Sequence, residues 1–126
     1  MNKQIINTKN APAPIGPYNQ AVKAGNLLFV SGQVAMVPAT GEFANKTIEQ
    51  ETQQVMKNLQ AILLEAGMDF TNIVKTTIFL SDMSLFAAVN EVYASYFDGE
   101  FPARETVAVK GLPKNANVEI SVIATI

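Results

Sequence analysis

Arg104, in the run Phe101-Pro-Ala-Arg104-Glu-Thr106, is the only arginine of the chain, against eight lysines. Its planar fork of donors can grip a carboxylate through two parallel hydrogen bonds, which an ammonium group cannot do. It opens a strand just after a proline-bearing turn, where a side chain can face a cleft; a surface salt bridge is the competing reading. Glu119 is the one charged residue in Val118-Glu-Ile-Ser-Val-Ile-Ala-Thr-Ile126. A carboxylate in such a strand lies either on a solvated face or beside a partner, because burying it alone is costly. Partly buried, its pKa rises and it becomes a base or a group that orients water. Ser31-Gly32-Gln33 closes an apolar strand, where glycine either permits close backbone approach of a ligand or, more commonly, marks a bulge. Tyr18 fits no core stripe, whereas Tyr93 and Tyr96 fall on a helical one and read as core.

What is absent narrows the chemistry further. The 126 residues contain no histidine, cysteine or tryptophan. Without histidine there is no imidazole base and no Ser-His-Asp triad; without cysteine there is no thiolate nucleophile, zinc ribbon or disulfide frame. No glycine-rich phosphate loop, acidic metal triad or nucleophile elbow is present. The expected chemistry therefore uses carboxylates, Lys, Arg, Tyr, hydroxyls and water, with no metal. A formal net charge of −2, with no run of basic residues, argues against nucleic acid as a partner. No apolar stretch approaches the roughly 20 residues of a membrane span. The polar segment from Met1 to Asn10 lacks the apolar core of a signal peptide. A single cytoplasmic domain over residues 1–126 is expected, and 48% hydrophobic residues supply ample core material.

The elements that must position these residues follow from periodicity. Residues 3–6 read as a short strand, followed by the proline-rich Asn10-Ala-Pro-Ala-Pro-Ile-Gly-Pro17, a stiff extended loop that lays Tyr18 against a surface. Strands at about 18–23 and 27–33 form a hairpin through Ala24-Gly25-Asn26. Residues 47–66 carry the strongest helical signal. Thr47 and Gln50 are in capping-box spacing, and Ile48, Val55, Met56, Leu59, Ile62, Leu63 and Ala66 form the apolar stripe. Glu49, Gln53, Gln54, Lys57, Asn58 and Glu65 fill the polar face, and Gly67 caps the end. A strand at 72–80, a second helix with N-cap candidates in Ser81-Asp82-Met83-Ser84 that runs to about Phe97, and strands at about 104–109 and 117–125 complete the chain. Asp69, Asp82 and Glu91 read as caps and solvated surface.

This order is α+β with a mixed sheet, since a hairpin precedes the first crossover. Two helices cover one face. A strand expected at Ala35-Met36-Val37 and the C-terminal strand leave apolar groups on the other, which points to an oligomer interface.

Several of these segments together resemble the reactive intermediate deaminase family, also called the YjgF/YER057c/UK114 family. They are Ala13-Pro-Ile-Gly-Pro-Tyr18-Asn-Gln, Val30-Ser-Gly-Gln33, Ile73-Val-Lys-Thr-Thr-Ile-Phe79, Phe101-Pro-Ala-Arg104, Leu112-Pro-Lys114 and Val118-Glu119-Ile120. The resemblance spans the chain in order and spacing, and is greatest to the imine-deaminating branch. It implies a chorismate-mutase-like subunit and a homotrimer with a central barrel and clefts between subunits. It also implies hydrolysis of 2-imino or enamino acids, released by pyridoxal-phosphate dehydratases, to 2-keto acids and ammonia, with no cofactor. By position, Arg104 would clamp the substrate carboxylate and Glu119 would place or activate water. Tyr18 joins them as a candidate catalytic residue, and Ser31, Gly32, Phe86, Asn90 and Thr106 would line the cleft. Thr106 departs from the many members with cysteine there: it keeps a hydrogen-bonding group but forms no thiolate. Glu105, between the two, should face away from Arg104. A non-catalytic trimer that binds small carboxylates is the rival reading, and only catalysis needs Glu119. A nuclease or translation-inhibiting activity, also ascribed to the family, sits poorly with an acidic chain that lacks histidine.

Overall fold

The computed structural model describes residues 3–126. Six strands are present: β1 (Lys3–Ile6), β2 (Ala21–Ala24), β3 (Leu27–Gln33), β4 (Ile73–Leu80), β5 (Ala103–Ala108) and β6 (Val118–Thr125). Helix α1 (Ile48–Glu65) joins β3 to β4, and α2 (Phe86–Ala94) joins β4 to β5. The strands form one sheet in the order β1-β2-β3-β6-β4-β5. The β4–β5 pair is parallel, and the other neighbours are antiparallel. The last strand thus inserts between β3 and β4 and is crossed by α1, so the expected α+β class and mixed sheet hold.

Alternation along the strands decides what each face becomes. On one face Leu28, Val30, Ile78, Leu80, Val118, Ile120, Val122 and Ala124 are buried against Val55, Met56, Leu59, Ile62 and Leu63 of α1 and Val89 and Tyr93 of α2. On the other, Ile5, Leu27, Phe29 and Val107 are exposed, with no helix above them. The N-terminal end of α1 is capped by Thr47, whose hydroxyl accepts from the Gln50 N–H at 3.0 Å. The Gln50 side chain reaches one residue beyond the expected capping box, accepting from the Lys46 N–H at 2.8 Å. At the C-terminal end Gly67 takes a left-handed φ of 74°. This turns the chain so that the Gly67 and Met68 N–H groups cap Leu64 and Leu63 carbonyls.

Four expectations need correction. Residues 18–20 belong to the loop, and β2 starts at Ala21. Helix α2 ends at Ala94, short of Phe97, and its first turn is a 3₁₀ segment, Met83–Leu85. Residues 35–37 form no strand: Met36 makes an isolated bridge with Phe43, and Ala35 is fully buried. The reason is Asn58, which faces inward rather than solvent and is 1% exposed. Its Nδ2 donates to the carbonyls of Val34 at 3.0 Å and Met36 at 2.9 Å, so a helix side chain replaces the sheet partner. Truncation by Asn58→Ala would leave two carbonyls unpaired, a cost of about 1–3 kcal/mol. Urea unfolding should show a lower midpoint with an unchanged slope, and an unmoved midpoint would refute the role given to Asn58.

Candidate active site

The candidate residues fall into two groups. Arg104 opens β5 on the helix-covered face. Its guanidinium Nη1 donates to Asn90 Oδ1 at 2.7 Å, which ties the edge strand to α2. The guanidinium carbon lies 5.2 Å from the centre of the Tyr93 ring and 5.7 Å from that of Phe86. Aromatic faces attract a cation at this range and hold it without neutralising it. Among the described residues no carboxylate pairs with Arg104; the ion pair on β5 is made by its neighbour, Glu105 to Lys75 at 3.0 Å. Glu105 also accepts from the Thr77 hydroxyl on the open face, and these two partners hold its pKa below the ordinary value. It faces away from Arg104, as alternation required.

The guanidinium borders a cleft of about 400 Å³ lined by Asn90, Tyr93, Ala94, Phe101, Pro102 and Arg104. Asn90 spends its carbonyl oxygen on Arg104, leaving its amide N–H groups for the cleft. Thr106, two residues along the same face, has a buried hydroxyl with no partner among the described residues. Tyr93 is the member of this group that a core reading hid. It is indeed buried, yet its ring is the shelf under Arg104 and its hydroxyl donates to Thr76 Oγ1 at 2.9 Å. Burial raises the Tyr93 pKa, opposed by the Thr76 hydrogen bond and the Arg104 charge, so the phenol stays protonated at neutral pH.

The second group surrounds an irregularity in β3. The β3–β6 register shifts between Val30 and Gln33, so Ser31 and Gly32 form a bulge beside Glu119. A Cβ on Gly32 would stand 2.8 Å from Glu119 Cδ and 3.0 Å from its Cγ and Oε1. The bulge reading of Gly32 therefore holds, and what comes close to it within the chain is the Glu119 side chain. Glu119 is half-buried on the open face, opposite Phe79 on β4, with Val107 next in the row. No hydrogen bond or ion pair among the described residues involves it, and burial alone raises its pKa.

Ser31 is fixed, its hydroxyl donating to the Asn19 carbonyl at 2.7 Å, so toward a ligand it can only accept. Tyr18 is 48% exposed, and its phenol oxygen accepts from the Ile15 N–H at 3.4 Å. Beside Gly32 it lines a cavity of about 330 Å³ with Ile15, Met36, Pro113 and Lys114. Gln20, two residues on, is 1% exposed and was not singled out from the sequence. Its amide donates to the carbonyls of Thr8, Ala11 and Pro12 and accepts from the Thr8 N–H, so it anchors the proline-rich loop that carries Tyr18.

The two groups do not meet within one chain. Arg104, Asn90, Phe86, Tyr93 and Thr106 belong to the β5–α2 edge on the helix face. Glu119 and Gly32 lie on the open face, with Ser31 and Tyr18 at the same bulge. Among the described residues no cluster of acidic side chains could hold a metal ion, and no helix is long and apolar enough to cross a membrane.

Comparison with known proteins adds the following. The family model described as Endoribonuclease L-PSP matches residues 8–126. Reactive Intermediate Deaminase A, chloroplastic, from Arabidopsis thaliana is 48% identical over 126 residues, which is 100% of this chain and 67% of that protein. The 2-iminobutanoate/2-iminopropanoate deaminase of Mus musculus is 46% identical over 122 residues, 97% of this chain and 90% of its own length. Among solved structures, YyfA from Yersinia pestis, a protein of unknown function of the conserved Rid family, is similar with a TM-score of 0.96. Its identity is 50%, over 98% of this chain and 99% of that one.

Two outcomes follow for Glu119. Because its folded pKa is raised, ionisation favours the unfolded chain. Glu119→Gln should therefore be more stable than the parent at pH 7, and the gap should close as pH falls through the raised value to below the ordinary one. Thermal melts of both proteins between pH 4 and 7.5 test this; a parent more stable at pH 7 would contradict the burial described. Gly32→Ala must push the Glu119 side chain aside, and a crystal structure of that variant with Glu119 unmoved would refute the contact.

Proposed function

The chain belongs to the Endoribonuclease L-PSP family, the family of the reactive intermediate deaminases, and we propose that it hydrolyses small 2-imino acids to 2-keto acids and ammonia. The substrates envisaged are 2-iminobutanoate and 2-iminopropanoate and their enamine forms, as released by pyridoxal-phosphate dehydratases. The observation that carries this reading is Arg104: an arginine on an aromatic shelf, held by Asn90, without a carboxylate partner, at the edge of a cleft. That is a place for a small carboxylate. The names of the relatives supply the reaction, and Glu119 supplies the second group it needs.

In the proposed mechanism Arg104 binds the substrate carboxylate bidentately and makes attack on C2 a positioned event. Glu119, which burial makes more basic than an exposed glutamate, acts in its carboxylate form and takes a proton from water as the oxygen adds to C2 of the protonated imine. Glu119 returns that proton to the nitrogen of the resulting carbinolamine; as the C–N bond breaks and ammonia leaves, the carboxylate takes the hydroxyl proton, giving the 2-keto acid, and passes it on to the released ammonia. Tyr18, Ser31, Gly32, Phe86, Asn90 and Thr106 shape the site, with the Asn90 amide free to bond the substrate. No metal or organic cofactor enters any step.

One protomer presents Arg104 and Glu119 on opposite faces of its sheet, so a substrate touching both must lie between copies. Together with the uncovered apolar face, this supports a homotrimer with clefts between subunits and the bare sheet faces turned inward. Light scattering at micromolar concentration should give three times the chain mass, and a stable monomer there would remove the shared clefts.

The experiment that tests the function is imine clearance in a coupled dehydratase reaction, with 2-ketobutyrate affinity measured by calorimetry. Arg104→Lys keeps the charge but loses the fork, so affinity and turnover should each fall about ten- to a hundredfold, the worth of a hydrogen bond to a charged group. Glu119→Gln should lower kcat and leave affinity nearly intact. The acid limb of kcat/KM should lie above the ordinary glutamate range in the parent and vanish in Glu119→Gln. Clearance should persist in EDTA. If the parent binds 2-ketobutyrate but clears imine no faster than buffer, the protein is a carboxylate-binding module instead.

A further inference from the structure

Glu51 sits in the first turn of α1 and is 1% exposed, yet no cation pairs with it among the described residues. A buried carboxylate without a counter-charge is costly unless its oxygens are well bonded. Here both are. Oε2 accepts from the Asn117 backbone N–H at 2.8 Å and Oε1 from the Asn117 Nδ2 at 3.0 Å, with the positive end of α1 as a further favourable field. Asn117 is held from its other side by Ser81, whose hydroxyl donates to Oδ1 at 2.9 Å and whose N–H donates to the carbonyl at 2.9 Å. All four polar atoms of Asn117 are thus engaged. An apolar side chain at 51 would leave both Asn117 donors without an acceptor; the carboxylate instead gives the residue that enters β6 a fixed direction.

Glu119 lies two residues further on. On the β4 side the ladder ends close by, at Leu80 and Val118; on the β3 side it is broken by the bulge. This part of β6 therefore has regular pairing on one side only, near that ladder's end. We propose that Glu51, acting through Asn117, is a positioning residue that sets the height of β6 and holds the Glu119 carboxylate against Gly32. The inference rests on the reading of Glu119 as the group that activates water.

The test exchanges donor and acceptor. Glu51→Gln sets an amide N–H against one of the two Asn117 donors, and Asn117→Asp brings two carboxylates together. The double variant Glu51→Gln/Asn117→Asp restores both bonds with their direction reversed across the side-chain pair. Two readouts are taken: kcat and KM for imine clearance, and the titration of the Glu119 carboxyl carbon by NMR. Each single variant should lower kcat about tenfold or more, with KM within about twofold, as a displaced catalytic group does. Each should also shift the Glu119 midpoint toward its ordinary value, and the double variant should recover both. Single variants that melt earlier but keep the parental kcat and Glu119 titration would overturn the proposal, leaving Glu51 a purely structural residue. If the parent clears no imine while the Glu119 midpoint still moves and recovers, the positioning role stands and the deaminase reading falls. Should a single variant not fold, Ser81→Ala, at an exposed position, loosens the same residue. It should shift the midpoint in the same direction with a smaller loss of kcat; parental values in both readouts would again overturn the proposal.

Discussion

β6 has to satisfy both faces of the sheet at once, and the rest of the structure depends on how it does so. It enters last, between β3 and β4, with Val118, Ile120, Val122 and Ala124 closing the core beneath the helices. Alternation then leaves Glu119, Ser121, Ile123 and Thr125 no choice but the opposite face. A slip of one residue would bury Glu119 in the core and expose four apolar side chains, so the register is strongly specified. The position of the carboxylate is a by-product of the most strongly determined packing in the molecule. Glu119 rides on a strand that cannot shift without unmaking the core, which is a sound way to hold the group proposed to activate water.

Each candidate functional group breaks a local rule that its neighbours obey. Glu119 is a half-buried carboxylate without a partner among the described residues, close against Gly32 and flanked by Phe79. Arg104 is a cation provided with aromatic faces and an amide oxygen but, among the described residues, no anion. Glu105 and Lys75, in the same sheet, do what charged residues ordinarily do and pair with each other. The contrast marks Arg104 and Glu119 as candidates for binding a ligand more clearly than position in a cavity would. Departures of this kind from an otherwise consistent sequence are where function is to be sought.

Much of this was legible before the structure. Period-two and period-3.6 patterns located β3, β4, β6 and α1, because those elements bury complete faces. The arginine stood out by rarity, and the facing-away of Glu105 followed from alternation alone. What stayed hidden was every polar residue that turns inward. Asn58 and Glu51 sit in a helix whose other polar residues are mostly turned to solvent, and nothing local distinguishes them. Their partners, the carbonyls of Val34 and Met36 and the amides of Asn117, are 22 to 66 residues away. The same applies to Gln20, whose role is to tie down a loop of prolines that cannot bond to one another. The strand expected at 35–37 is reduced to an isolated bridge for a related reason: the Met36 carbonyl is taken by a side chain from a distant helix, while Ala35 and Val37 bond to the backbone of Ala44 and Glu42. Hydrophobic periodicity reports which surfaces are buried, and says nothing of which polar group meets which.

The separation of Arg104 and Glu119 on opposite faces makes the shared cleft the central claim, and mixed oligomers test it most directly. Arg104→Ala and Glu119→Gln protomers, each inactive alone, are unfolded together and refolded at equal concentration. If each cleft takes its arginine from one copy and its carboxylate from the next, a cleft with both groups intact forms in about one quarter of cases. Imine clearance should then return to about a quarter of the parental rate per chain. If one chain supplies both groups, every cleft carries a lesion, and a mixture as inactive as its components would contradict the arrangement described.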